Sequence, residues 1–359
     1  MNQVLGHTFT EMEVEKALKQ MQPMKSPRPD GFSARFFQQS WSVVRGEVCK
    51  TVLDFLNNGI FDSSVNDSYI VLISKIKSPV SVSDFRPISL CNVLYKIIAK
   101  VLANRLKIVL PHIISYNQSA FIPGKHITDN IIVAFEAFHT MATRLKGKQG
   151  FMALKLDMSK AYDRVEWDFL EAIMRKMGFS EHWIQLVMKC IRTVTYSVLI
   201  NGQPHGHIHP SRGIRQGDPL SPYLFLLCAE GLSHLLHKAE HERRITSLAI
   251  ARRGQKINHL FFANDSVLFC KANAQEWGQL QLILESYERA SGQKLNREKT
   301  SLLFSKNTPR VAKEHLTNSV GVTPTDCFEK YLGLPSMVGK SQMASFSTIK
   351  GRIWERINR

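Results

Sequence analysis

Three short segments hold the residue types that could do chemistry. In Leu154-Lys155-Leu156-Asp157-Met158-Ser159-Lys160-Ala161-Tyr162-Asp163, an apolar run hands over a carboxylate, Asp157. A carboxylate at a strand end can point into a cleft while the strand stays rigid, although a lone Asp there is more often a turn or cap residue. His259-Leu260-Phe261-Phe262-Ala263-Asn264-Asp265-Ser266-Val267-Leu268-Phe269 is almost purely apolar around Asn264-Asp265. It reads as a buried hairpin, and Asn-Asp by itself is an ordinary turn dipeptide. A carboxylate between two buried strands is partly desolvated, which is costly unless a cation is held there. The third segment, Ser211-Arg212-Gly213-Ile214-Arg215-Gln216-Gly217-Asp218-Pro219-Leu220-Ser221-Pro222, joins two arginines and a glutamine to the start of a helix. Such a helix start favours an anionic ligand, and a solvated loop is the plain alternative.

These segments need elements to position them. Periodicity predicts a strand over Phe151–Leu156 that delivers Asp157, and a hairpin over 257–270 with Asn264-Asp265 in its turn. A long helix is expected over 219–242, and another over 275–290 that stops at Ser291-Gly292. Near the start, Thr10-Glu11-Met12-Glu13 has capping-box spacing, and Val14, Ala17, Leu18 and Met21 form one apolar stripe. Residues 32–57 read as helical and 69–74 as a strand. Residues 89–110 make the clearest helix, ended by Pro111, with Lys96, Lys100, Arg105 and Lys107 as its basic residues. Further helices are expected near 128–145, 166–176, 183–192 and 345–357. A hairpin around Asn201-Gly202 joins 196–200 to 206–209. No linker-like stretch divides the chain, so it reads as one interlocked α/β unit.

Composition narrows the function classes. The chain has 359 residues, 44% hydrophobic and 21% charged, with 47 Lys and Arg against 30 Asp and Glu, a net charge of +17. That balance points to a polyanion, nucleic acid first, and dispersed basic residues suit a channel wall better than a basic arm. No apolar run reaches membrane-span length, and the first residues lack a signal peptide's basic and apolar regions. An intracellular location, nuclear or cytoplasmic and not secreted, is expected. The six cysteines form no Cys-x-x-Cys pair, so they are expected to be reduced and mostly buried. His205, His207 and His209 alternate and would share one strand face, but three exposed imidazoles need no metal. Trp277, Leu280, Ile283, Leu284 and Tyr287 form a helical stripe best read as core. Lys96, Lys100 and Lys107 either solvate a helix face or meet phosphates.

Read in order, the three segments resemble the A, B and C motifs of reverse transcriptases. Other stretches resemble non-LTR, LINE-like retrotransposon enzymes of the kind abundant in plants. They include Asp84-Phe85-Arg86-Pro87-Ile88-Ser89-Leu90, Asn117-Gln118-Ser119-Ala120-Phe121-Ile122-Pro123-Gly124, Ser291-Gly292-Gln293-Lys294-Leu295-Asn296 and Tyr331-Leu332-Gly333-Leu334-Pro335. The resemblance implies an α+β right-hand polymerase with fingers and palm and a truncated thumb. Its parts would be an N-terminal helical extension over 1–56, a reverse transcriptase domain over 57–337 (fingers about 57–150, palm about 151–337), and the start of a thumb or connection over 338–359.

It also implies RNA-directed DNA polymerisation with an RNA template, a DNA primer, dNTPs and two Mg²⁺ ions. By resemblance, Asp157 bridges both metals, the Met158 carbonyl assists, and Asp265 is the second Asp of the family's Ala-Asp-Asp turn. Tyr162 stacks under the deoxyribose, Gln216 lines the nucleotide pocket, Arg86 clamps the triphosphate, and Lys299 lies near the pyrophosphate.

The sequence departs from the family at three places. Asn264 stands where the family has Asp, losing a charge needed to offset two divalent ions, so metal binding is expected to weaken and activity to be weak or absent. Arg28 replaces a turn glycine, and Ser74 replaces a proline. Each change can arise by one G→A or C→T transition, which points to a decaying element copy. The resemblance also leads one to expect an endonuclease before the core and a thumb beyond Trp354. The competing readings are a non-catalytic nucleic-acid-binding pseudoenzyme and a decayed retrotransposon fragment.

Overall fold

The computed structural model describes residues 1–24, 29–60, 62–144, 147, 149–250, 255–328, 330–335 and 342–358. Arg28, one of the three departures, lies outside them. The expectation of a single interlocked unit gives way to two compact units, each built from separated stretches. The first comprises Met1–Ile114, Lys160–Glu230 and Ala290–Gln293; the second comprises Ser115–Ser159, Gly231–Arg289 and Lys294–Arg359. The chain passes between units inside continuous elements such as the helices Ser221–His241 and Ala274–Ser291. No Gly/Pro-rich linker marks the division for that reason.

In the first unit, the Thr10 capping box forms: its backbone N–H donates to Glu13 Oε2 at 3.0 Å, and Val14, Ala17 and Leu18 are buried. The helical stretch expected over 32–57 is two helices, Ala34–Gln39 and Trp41–Asn58, broken at Ser40. The strand Asp67–Ser74 pairs antiparallel with Phe85–Cys91 and parallel with Thr195–Ile200. Gln203–Ile208 completes this four-stranded sheet, and Ser74 ends its strand opposite Phe85.

The long helix runs over Val93–Ile113, not 89–110. Ser89, Leu90 and Cys91 are instead drawn into the ladder by pairing with Ile70, Tyr69 and Ser68. Pro111 does not end the helix. It sits within the last turn, and the Ile114 N–H still reaches Leu110 O at 3.0 Å.

The basic residues of this helix do not form a solvated face. Lys96 is buried, Lys100 and Lys107 are half-buried, and Lys107 lies over the Tyr223 ring. Arg105 is also buried; it donates to both Glu13 carboxylate oxygens at 2.7 and 2.8 Å and lies 3.5 Å over the Phe9 ring.

The second unit centres on a five-stranded sheet ordered Pro324–Thr325, Ser301–Phe304, Phe151–Leu156, Asp265–Lys271, His259–Phe262. Phe151–Leu156 lies in the middle, with neighbours on both sides, which suits its run of buried residues. Against the sheet packs the helix Ile127–Thr143 through Ala134, Ala137, Phe138 and Met141. Leu280, Ile283, Leu284 and Tyr287 are buried and Trp277 is half-buried, so that stripe is core as expected. Lys330-Tyr331 and Leu334-Pro335 pair across a tight turn with Leu332 and Gly333 at φ 50° and 84°.

All six cysteines are free, and all but Cys327 are buried. Gly206, at φ 72°, and a register shift interrupt the alternation of the exposed segment that holds His205 and His207, and His209 lies beyond the strand's end. Among the described residues, no helix is long and apolar enough to cross a membrane.

Candidate active site

The second unit brings Asp157 and Asp265 together by register alone. The antiparallel ladder between Phe151–Leu156 and Asp265–Lys271 ends at the pair Leu156–Ser266. One step further, Asp157 stands opposite Asp265. The expectation of Asn264-Asp265 as the turn fails for Asp265, which lies outside it. It opens its strand, paired with Phe262, and the loop is the two residues Ala263-Asn264. A two-residue loop needs left-handed backbone, and here Ala263 supplies it at φ 54°.

Asp157 is half-buried and held by Asn296, whose side-chain amide donates to Asp157 Oδ2 at 3.4 Å. Met158 is buried and pairs with Leu295 in a short two-stranded ladder. Burial pushes the Asp265 carboxyl above its ordinary range; Lys155 pulls it back, and the charge of Asp157 pushes it further up. Tyr331 is also pushed up, first by burial and then by the Asp265 charge. Lys155, the cation of this corner, is anchored through its Nζ to Lys330 O at 2.8 Å. Lys299 is exposed, with its backbone N–H on Asn296 O at 3.2 Å.

Two carboxylates at adjoining strand ends, one of them partly desolvated, make a corner whose negative charge a cation would relieve. The two carboxylates are hard oxygen donors, which would suit Mg²⁺ rather than a softer ion. Among the described residues, no group of three or more His, Cys, Asp or Glu side chains is gathered to hold a metal.

Arg86, Tyr162 and Gln216 belong to the first unit. Tyr162 stacks flat on Phe225, 5.2 Å between centroids and 3° between planes, and its hydroxyl is pushed up to about 12 by burial and then by Asp218. Gln216 Nε2 donates to Asp163 Oδ1 at 3.3 Å, and its carbonyl accepts the Ser89 N–H at 2.8 Å. Arg86 is exposed on its strand. The first arginine-rich turn is not all solvated. Arg215 is buried, donating to Asn66 Oδ1 at 2.6 Å and Cys190 O at 2.7 Å, and stacks 3.8 Å over Tyr95.

Sequence reasoning assigned no role to Asn296, Lys155 or Gln118. Asn296 and Gln118 lay in segments already noted for their resemblance, but their partners are 139 and 145 residues away, beyond any local pattern.

A sequence profile of the family described as reverse transcriptase (RNA-dependent DNA polymerase) matches residues 74–335. Over 292 residues the chain is 29% identical to the transposon TX1 uncharacterized 149 kDa protein of Xenopus laevis, covering 81% of this chain and 22% of that protein. Over 290 residues it is 28% identical to the retrovirus-related Pol polyprotein from type-2 retrotransposable element R2DM of Drosophila melanogaster, covering 79% and 25%. It is also 40% identical over 113 residues to an uncharacterized mitochondrial protein of Arabidopsis thaliana, covering 31% of this chain and 90% of that protein. The chain thus spans about a quarter of the length of the two transposon proteins.

Proposed function

The chain belongs to the reverse transcriptase family, and from that premise we propose that it is the polymerase core of a non-LTR retrotransposon protein whose own nucleotidyl transfer is impaired at residue 264. One observation carries this reading. Asp157 and Asp265 lie at adjoining strand ends, and the turn next to Asp265 carries Asn264, where the resemblance calls for an aspartate.

In the RNA-templated reaction, the primer 3′-hydroxyl oxygen attacks the α-phosphorus of a dNTP. The new phosphodiester P–O bond forms as the α–β bridging P–O bond breaks, pyrophosphate leaves, and the hydroxyl gives up its proton. Bound Mg²⁺ supplies acidification of that hydroxyl and offsets charge on the departing pyrophosphate. Asp157, Asp265 and the Met158 carbonyl are the donors that would hold it. Asn264 keeps an oxygen but lacks the charge that lets two divalent ions sit close together. Tyr162, backed by Phe225, would offer a flat ring to the deoxyribose, the role the resemblance gives it. Gln216 lines the nucleotide pocket from a position fixed by Ser89 and Asp163. Arg86 and Lys299 are the exposed cations for triphosphate and pyrophosphate. The net charge of +17 suits template and primer.

The amide at 264 and the basic charge also favour a second reading, a nucleic-acid-binding protein without chemistry. Primer extension on an RNA template, with Mg²⁺ and with Mn²⁺, separates the two. We expect Asn264→Asp to raise the rate at least ~10²-fold. Equal rates in both proteins would overturn the impairment. Salt-dependent template–primer binding without extension in either protein would favour the second reading.

A further inference from the structure

We propose that Gln118 is a positioning residue for the Ala263-Asn264 turn, fixing where residue 264 and Asp265 stand beside Asp157. The turn has an intrinsic weakness. An alanine at positive φ is strained, because its Cβ crowds the following carbonyl, so contacts from outside the hairpin help hold Ala263 at φ 54°.

Those contacts come from 117–119 and Asn130. The strand His259–Phe262 is the last in its sheet, and its outer side is covered by this segment. Phe261 N–H donates to Asn117 O at 2.8 Å, and Ser119 N–H donates to Phe261 O at 3.2 Å. Asn117 Nδ2 reaches His259 O at 2.6 Å, and Asn130 Nδ2 reaches Phe261 O at 3.0 Å. Gln118 extends this grip past the strand into the loop. Its Oε1 accepts the Ala120 N–H at 2.9 Å, which fixes the side chain, and the Ala263 N–H at 3.1 Å, which fixes the turn.

The choice of glutamine is itself informative. Gln118 is 1% exposed, and its Nε2 is buried without a hydrogen-bond partner. An unmet buried donor is unfavourable and is not what stability alone would select. Methionine would avoid it but abandon the Ala263 and Ala120 N–H groups. Glutamate would accept both bonds but bring a third negative charge toward Asp157 and Asp265. Glutamine is the side chain of this length that accepts without charge. The orphaned Nε2 is the tolerated consequence of putting a neutral acceptor under the turn.

The test reads the turn directly, by amide hydrogen exchange on the full chain. In Gln118→Met, exchange at the Ala263 amide should rise at least about tenfold, while Val267 and Leu268 in the adjoining strand keep their protection. In Gln118→Glu, which retains the acceptor, the Ala263 amide should stay protected. Unchanged protection in Gln118→Met, or uniform loss along the strand, overturns the proposal. Should Gln118→Met not fold, Gln118→Glu still decides: lost protection at Ala263 overturns the proposal and retained protection supports it.

The consequence for cation binding rests on the polymerase reading. In the Asn264→Asp protein, Gln118→Met should weaken Mn²⁺ binding at least about tenfold, read by electron paramagnetic resonance. If Asn264→Asp binds no Mn²⁺ at all, it is the polymerase reading that fails, and the exchange measurement stands by itself.

Discussion

Asn296 grips Asp157 from two sides: its side-chain amide donates to the carboxylate at 3.4 Å, and its backbone N–H donates to the Asp157 carbonyl at 2.8 Å. The backbone bond fixes where the chain leaves the central strand, and the amide fixes the rotation of the carboxylate. Asn296→Ala keeps the first and deletes the second. In the Asn264→Asp protein we expect it to lower kcat for nucleotide addition about tenfold, with little change in KM for template–primer. An unchanged kcat would show that the carboxylate needs no such hold.

Asp265 makes the fold less stable when ionised. Burial raises its carboxyl above the ordinary value of 3.8, outweighing the pull of Lys155. The sign follows from linkage. A carboxyl raised in the folded state contributes stability that is full below its unfolded value and is lost as pH rises through its folded value. Asp265→Asn carries no such loss. Its Tm should exceed that of the parent near neutral pH, and the gap should close as pH falls toward about 4. A constant gap across that range would mean that the carboxyl is not destabilised by its surroundings.

Tyr331 ties the sheet to the helix behind it. Its hydroxyl donates to Asn130 Oδ1 at 2.6 Å, and Asn130 in turn donates to Phe261 O. Tyr331→Phe keeps the ring against Phe138 but strands a buried amide oxygen. The expected loss is about 1–2 kcal/mol, seen as a lower denaturant midpoint. No shift would mean that water replaces the hydroxyl.

Gly213 is required where the arginine-rich turn passes Tyr162 and Asp163. It sits at φ 90°, and a Cβ there would lie 2.8 Å from Asp163 O, a backbone atom that cannot step aside. Gly213→Ala should destabilise the first unit by about 2 kcal/mol or more, measured by denaturation. A neutral substitution would show that this turn relaxes freely.

Much of this was legible in sequence, for physical reasons that differ by place. The strand before Asp157 and the hairpin of Asp265 are continuous apolar runs, so their burial and the placing of acids at their ends follow from local pattern. The capping box at Thr10 and the stop at Ser291-Gly292 are local chemistry as well. What escaped was set by distant partners. Ser89–Cys91 look helical until Ser68–Ile70 claim them, and Pro111 looks terminal until the helix continues through it. Lys96 reads as solvated or phosphate-facing until the elements that bury it are known. The exact hairpin register, which moved Asp265 out of the turn and left Ala263 in it, could not be read from Asn-Asp alone.

The two-residue loop has an evolutionary consequence. None of the hydrogen bonds described above uses the side chain at 264; the turn is gripped at Ala263, and the strand behind it through His259 and Phe261. The backbone hold on the turn is therefore the same for asparagine and aspartate, and only the added negative charge beside Asp157 and Asp265 distinguishes them. Loss of an acid here would leave the turn's backbone contacts in place. The same indifference makes it reversible, because a single base change could return the acid to a socket that never lost its shape.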